Sequence, residues 1–353
     1  MMLAPEITPD GNAPSMGTMF GGLLSDVARA TLRKAGYPTM VPSSEKDIDD
    51  YLRDATRLWV TNGDGSIPEP TEVRRVMEGH EAMLYEVWKL ALRHDTSPEE
   101  MPLVVQAPLL WKANPFVVRS SKLEQSVVVM SEGLWSLIAA AVFGVLLWAD
   151  GPSELEDFGR SLVSKAGVSW ALNQPELGPS GTDMARALVA DLEISNFAIG
   201  IAHAGFTWTF LHEMGHVMLG HLAAAEHVRG SALDGSAEII YSEYDRNDEV
   251  EADKFGFQRF LSLMPLELEI RKMMPFGPQI DHAPLIMMDL LDLAMRVGRR
   301  DDLLTSKTHP PPLTRLKILR EIFGPQLSQE GRDFFAYWTE RSSAIRKLLL
   351  PSL

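Results

Sequence analysis

The sequence predicts an α+β fold that is mostly helical, with one small sheet and an N-terminal helical subdomain. Apolar residues recur at helical spacing over most of the 353-residue chain. Short β-branched runs at 103–105, 116–118 and 127–129 interrupt this pattern and predict three strands. No repeat with a period of about 20–50 residues is present, which argues against a solenoid or a propeller.

Composition excludes several classes of protein. The chain has 33 basic and 48 acidic residues, a net charge of −15, so it is a poor candidate for binding nucleic acid. It contains no cysteine, which excludes disulfides, Cys-ligated zinc and a Cys nucleophile. Any metal ion must therefore be held by His, Asp or Glu side chains.

The N-terminal hundred residues divide into two parts. Residues 1–45 are rich in Pro, Gly and Met and predict a flexible arm. Residues 46–100 contain two amphipathic stripes at helical spacing, separated by the turn-rich segment 61–70. We interpret 46–100 as a helical subdomain.

The apolar run at 133–149 is the one stretch that raises the question of a membrane. It has 17 uncharged residues (GLWSLIAAAVFGVLLWA), which is at the lower length limit for a spanning helix. Neither flank is basic enough to orient it in a bilayer, and the N-terminus lacks the basic start of a signal peptide. We expect a buried core helix in a soluble, cytoplasmic protein; membrane association is the alternative that we do not favour.

A His-Glu-x-x-His motif begins at His212. His212 and His216 are four residues apart, so on a helix both rings project from the same face, one turn apart. Two His ligands of one zinc ion need this spacing, and Glu213 beside them can act on a zinc-bound water. We predict one zinc ion per chain, with Glu213 as the general base.

A catalytic zinc site needs a third protein ligand and keeps its fourth position open for water. Glu249 and Asp253 are four residues apart on a predicted helix within the segment 247–257. We predict that Glu249 is the third ligand and that Asp253 accepts the other ring N–H of a ligand His. Glu251 is the main competitor, and both cannot face the metal because they are two residues apart on the helix.

One alternative for Glu249 and Asp253 remains open, and one assignment of His221 is excluded. Residues 234–253 hold eight acidic side chains and one basic one, a pattern also typical of a solvated acidic surface. His221 lies five residues after His216, whereas a metzincin has its third His six residues after the second. We interpret His221 as a helix-end residue or a partner of a ligand.

Together these motifs resemble the gluzincin metallopeptidases of the HtpX and CAAX-prenyl-protease type. The His-Glu-x-x-His motif is followed by Glu249-x-Glu251-Ala252-Asp253. The segments 114–117 (NPFV) and 126–138 resemble the active-site edge strand of that family and the strand-to-helix turn after it. The segment 308–311 (THPP) with Arg315 resembles its His-Pro-Pro segment. The resemblance covers roughly 101–325 and implies a zincin-like peptidase domain.

The resemblance also implies roles outside the zinc ligands. His309 would donate to the developing oxyanion, and Arg315 would orient His309 or bond nearby backbone. The alternative is that His309 is a surface residue in a Pro-rich turn. The substrate backbone would pair with the edge strand at Asn114, Phe116 and Val117. Residues 150–190 would be an insertion between this strand and the zinc helix; we predict that it controls access to the zinc as a lid, and the alternative is a peripheral insertion. The remaining segment, 326–353, is predicted to be a C-terminal helix.

We therefore predict a zinc-dependent endopeptidase that cleaves protein or peptide substrates. One alternative is a regulatory peptidase that cleaves a single repressor or stress protein. Another is a non-catalytic interaction protein that a zinc ion stabilises, but such a structural site has no use for a general base beside the metal.

Overall fold

The computed structural model describes the part of the chain that carries the core and the metal motifs. The described residues are 103–107, 115–118, 127–172, 177–221, 226–231, 238–243, 245–264, 280–300 and 309–349, with five helical residues between 83 and 91. The predicted arm 1–45, most of the predicted subdomain 46–100 and Asn114 lie outside them.

Eight helices and five strands are described in this part of the chain. The helices are α1 (Glu132–Asp150), α2 (Glu156–Leu172), α3 (Gly181–Ala190), α4 (Leu192–Met218), α5 (Arg246–Leu263), α6 (Ala283–Val297), α7 (Pro312–Phe323) and α8 (Gln329–Leu349). Two short 3-10 turns, Ser153–Leu155 and Gly324–Gln326, precede α2 and α8. The strands are β1 (Leu103–Ala107), β2 (Phe116–Val118), β3 (Val127–Ser131), β4 (Glu226–Ser231) and β5 (Glu238–Glu243).

The strands form two small groups. In the first, β3 lies in the centre, parallel to β1 and antiparallel to β2, so β2 is an edge strand. In the second, β4 and β5 form an antiparallel pair in which Glu226 lies opposite Glu243. The side chains of Val117, Val128 and Met130 are buried against the helices.

The predicted fold class, α+β with a zincin-like sheet, is wrong: the described chain is a helical fold. The core shows the physical reason. Among the described core residues, Val117, Val128 and Met130 are the only ones that come from strands, and helices supply nearly all the others. The β-branched runs that suggested a sheet form strands of only three to five residues, whereas the numbered helices are 10 to 27 residues long.

Helix α1 lies in the middle of the fold and packs against α2, α4 and α8. In the described part of the chain, Gly133–Asp150 is the one segment long and apolar enough to cross a membrane, and 83% of it is buried within the protein. Length and composition alone do not separate a spanning helix from a buried core helix. The extensive burial agrees with the expected core helix.

The predicted insertion 150–190 contains two helices with different surroundings. Helix α2 packs against α1 and α6, and Leu162, Val163 and Trp170 are buried in the main core. These apolar side chains therefore stabilise the body of the protein and do not cover a groove. Helix α3 starts at a capping box between Ser180 and Asp183 and contacts α4. Control of access to the metal site by this segment stays a prediction.

Helix α6 packs against α4, the predicted zinc helix, and against α2, α7 and α8. Its polar face is joined to α8, where Arg346 contacts Asp289 at 2.6 Å and Asp292 at 3.2 Å. Helix α7 lies between α6 and α5, which places Arg315 near the end of α4 that carries the metal motif.

Candidate metal centre

The His-Glu-x-x-His motif occupies the last two turns of α4. Asp191 caps the start of this helix: its carboxylate accepts hydrogen bonds from the backbone N–H groups of Glu193 and Ile194 at 2.9 and 3.0 Å. It continues for 27 residues without a proline and ends at Met218. His212 and His216 are both buried, so the regular helix presents the two rings on one interior face.

Helix α5 crosses α4 at very close range. A Cβ atom on Gly256 would lie 2.9 Å from His212 N, and one on Gly215 would lie 3.0 Å from Ala252 Cα. Only glycine at these positions allows the two backbones to approach so closely. The close crossing brings Glu249, one turn into α5, to the face of α4 that carries the two His rings.

His212, His216 and Glu249 form a buried group that could hold a metal ion. His212 Nε2 lies 3.2 Å from His216 Nε2. The Glu249 carboxylate lies 3.7 Å from each of these nitrogens, through Oε2 to His212 and Oε1 to His216. One ligand atom from each residue lies within 4.8 Å of the others. Two nitrogens and one carboxylate oxygen converge on one point, which agrees with the predicted ligand set.

Asp253 and Arg315 each contact a member of this group. Asp253 Oδ1 lies 3.0 Å from His212 Nδ1, the ring nitrogen that points away from the convergence point. Arg315 donates two hydrogen bonds of 2.6 Å to Asp253, and its Nη1 lies 3.2 Å from Glu249 Oε2. The expected contact of Asp253 with a ligand His is present. Arg315, which was expected to act on His309 or on backbone, contacts the two carboxylates instead.

The charges of these groups hold the carboxylates ionised. Burial by itself would raise the pKa of Glu249, but the hydrogen bond from His309 and the charge of Arg315 outweigh it and lower that pKa. Burial also opposes ionisation of Asp253, whose pKa is lowered overall by Arg315 and by His212. Two ionised carboxylates in the interior attract a cation, because opposite charges stabilise each other there.

The pKa values of the two His rings shift in opposite directions, although burial lowers both. Burial lowers the pKa of His216, and the neighbouring charge of His212 lowers it further. For His212, burial acts in the same direction, but the contacts with Asp253 and Glu249 outweigh it and raise the pKa. A neutral ring is the form that binds a metal ion, and His216 is held in that form.

Glu213 is buried beside the ligand group. Burial raises its pKa to about 7, with the Glu249 carboxylate adding to the effect and the positive charges of His212, Arg315 and His309 opposing it. A carboxylate with a pKa near neutrality can both accept and release a proton at physiological pH. This is the property that the predicted general base requires.

His309 lies on the open side of the group. Its side chain is 49% exposed, and its Nε2 lies 3.2 Å from Glu249 Oε1. Residue 309 precedes α7, the helix that also carries Arg315. The structure therefore places the predicted oxyanion donor beside Glu249, the predicted third ligand, on the side that faces solvent.

The predicted substrate residues are described only in part. Phe116 and Val117 belong to edge strand β2, which lies against α4, and the Val117 side chain is buried. Val117 could therefore meet a substrate only through its backbone. Asn114 lies outside the described residues.

The competition between Glu249 and Glu251 is decided by position on α5. Glu251 has a 61% exposed side chain, and its Oε2 lies 3.5 Å from His221 Nε2. His221 is buried just beyond α4, and its Nδ1 lies 3.1 Å from His216 Nδ1. Glu249 faces the two ligand His rings, whereas Glu251 faces His221.

Sequence reasoning missed the glycines that allow the two helices to cross. Gly215 and Gly256 lie in helix interiors, where glycine is destabilising and signals a close backbone approach. Asp248 was also missed; its Oδ1 lies 3.7 Å from His221 Nε2.

No protein-family model, curated protein or solved structure matches the chain. The resemblance to gluzincin metallopeptidases therefore stays a prediction that depends on the motifs and on the arrangement of this site.

Proposed function

We propose that the protein is a zinc-dependent endopeptidase. The observation that carries the proposal is the placement of a buried Glu213, next in the chain to His212, beside the His212–His216–Glu249 group. Two imidazoles and one carboxylate are a ligand set that catalytic zinc sites use, and this set leaves a fourth position open. The donor atoms and their burial fit zinc.

When bound there, zinc would polarise the scissile carbonyl and make water more acidic. Glu213 accepts the proton of the attacking water on its carboxylate and donates it to the leaving amine. Its pKa of about 7 suits both halves of this transfer. Asp253 and Arg315 hold His212 and Glu249 in place, so the ligand side chains need not reorganise when the metal binds.

The open side of the group suits a peptide substrate. His309 is half-exposed there and can donate to the developing oxyanion from its ring. Among the described strands, β2 lies at the edge of its sheet, where it contacts α4 and β5. An extended peptide would add beside β2 as a further strand. We propose protein or peptide segments in extended conformation as substrates.

The test compares the wild-type protein with Glu213→Gln. Zinc is measured by elemental analysis, and hydrolysis is measured on an unfolded protein with and without a chelator. Glu213→Gln should keep the zinc, and its rate of hydrolysis should be about 10²–10⁴-fold lower, because only the proton transfer is removed. Glu193→Gln, an exposed residue at the start of the same helix, is the matched control and should keep both. Unchanged turnover by Glu213→Gln with retained zinc would contradict the mechanism and favour a structural metal.

A further inference from the structure

The chain turns back immediately after α4 and brings His221 against His216. Gly220 has a φ of 77°, in the left-handed region that favours glycine, and it ends the helix. The next residue, His221, is buried, and its Nδ1 lies 3.1 Å from His216 Nδ1. The ring nitrogen of His216 that points away from the ligand group thus meets a second imidazole.

Only one arrangement of protons at this contact is compatible with metal binding. His216 Nε2 faces His212 and Glu249, so it is the nitrogen that would bind a metal ion there, and the ring proton would then lie on Nδ1. His216 Nδ1–H can then donate to His221 Nδ1, which must carry a lone pair. His221 in turn carries its own proton on Nε2.

Two carboxylates face that second proton. His221 Nε2 lies 3.5 Å from Glu251 Oε2 and 3.7 Å from Asp248 Oδ1, both on the first turns of α5. Negative charge on this side favours a proton on His221 Nε2 and therefore leaves Nδ1 as the acceptor. The acidic segment that begins α5 thus acts on His216 through His221.

We propose that His221 is a positioning residue that fixes the ring orientation and tautomer of metal ligand His216, with Glu251 and Asp248 fixing the tautomer of His221. The inference rests on the proposed metal site. It gives His221 a role there in addition to those of His212 and His216. His212 and His216 then have different partners: the first ring contacts an aspartate and the second contacts another imidazole.

The experiment measures zinc affinity of the metal-free full-length chain by competition with a chelator of known affinity. His221→Ala should weaken zinc binding about 10–100-fold, the usual effect of removing such a partner. In His221→Asn, the Oδ1 atom can occupy the position of the lost Nδ1 and accept the same hydrogen bond, so this variant should recover most of the affinity. The Co²⁺ spectrum should change in His221→Ala and return toward wild type in His221→Asn.

Thermal unfolding of the metal-free variants separates positioning from packing. If His221 only fills space, both variants lose stability and zinc affinity to the same degree, and the inference is overturned. Wild-type affinity in His221→Ala would overturn it as well. If the wild-type chain itself binds no zinc, the proposed function fails at its first step, an outcome distinct from either of these.

Discussion

Arg315 on α7 donates two hydrogen bonds of 2.6 Å to Asp253 on α5. Both side chains are buried, and Arg315 also lies 3.2 Å from Glu249 Oε2. One guanidinium thus neutralises Glu249, the predicted third ligand, and Asp253, which contacts the predicted ligand His212. The Arg315–Asp253 pair joins α5 to α7, and its two residues are 62 positions apart in the chain.

Replacing Arg315 should therefore destabilise the protein strongly. Arg315→Met leaves Asp253 and Glu249 buried with their charges uncompensated, and breaking a buried pair in this way costs about 3–5 kcal/mol. Urea unfolding of the metal-free protein measures the loss. Lys317→Met is the control on the same helix, since Lys317 is 78% exposed and its contact with Glu321 is 4.0 Å long. A loss in Arg315→Met as small as in Lys317→Met would contradict this account.

The close crossing of α4 and α5 predicts that Gly256 tolerates no larger side chain. In Gly256→Ala the new methyl group would lie 2.9 Å from His212 N, so the helices must separate. We expect a loss of about 1–3 kcal/mol in unfolding free energy together with weaker zinc binding, because Glu249 moves with α5.

Gly324→Ala is the control for this substitution. The nearest atom that its Cβ would meet, Arg320 Cγ, is 3.8 Å away, which is ordinary contact. Stability and zinc affinity should stay near wild type in this variant. If Gly256→Ala behaves in the same way, the crossing does not depend on the absence of a side chain.

Zinc content should separate the two glutamates of α5. His212→Ala, His216→Ala and Glu249→Ala should each abolish stoichiometric zinc, because each removes one of three converging ligands. Glu251→Ala should still bind one zinc ion per chain at saturating metal, since its side chain points away from the group. Elemental analysis of dialysed protein measures this. Full zinc in Glu249→Ala with none in Glu251→Ala would reassign the third ligand.

Helix α1 should behave as a core helix. Its segment Gly133–Asp150 is 83% buried by the rest of the chain, which leaves little apolar surface for lipid. We expect expression without detergent to yield a single monodisperse species in the supernatant after high-speed centrifugation. Recovery only in a membrane fraction that resists high salt would contradict this prediction.

Helical spacing could be predicted from the sequence alone. His212 and His216 lie on one face because a helix repeats every 3.6 residues, and this holds wherever the helix packs. The same local geometry placed Glu249 and Asp253 one turn apart on α5. Helix periodicity was therefore enough to predict the group that could hold a metal ion. It also favoured Glu249 over Glu251 as the third member of this group.

Only the tertiary structure decided the fold class, the partners of Arg315 and the position of His221 against His216. The sequence suggested an α+β fold because β-branched runs are a local signal, whereas the class depends on which elements supply the core, and here helices supply it. Arg315 binds carboxylates on another helix because α7 packs on α5, a contact between distant segments. Such long-range contacts depend on the packing of the whole chain, and no local pattern of residues specifies them.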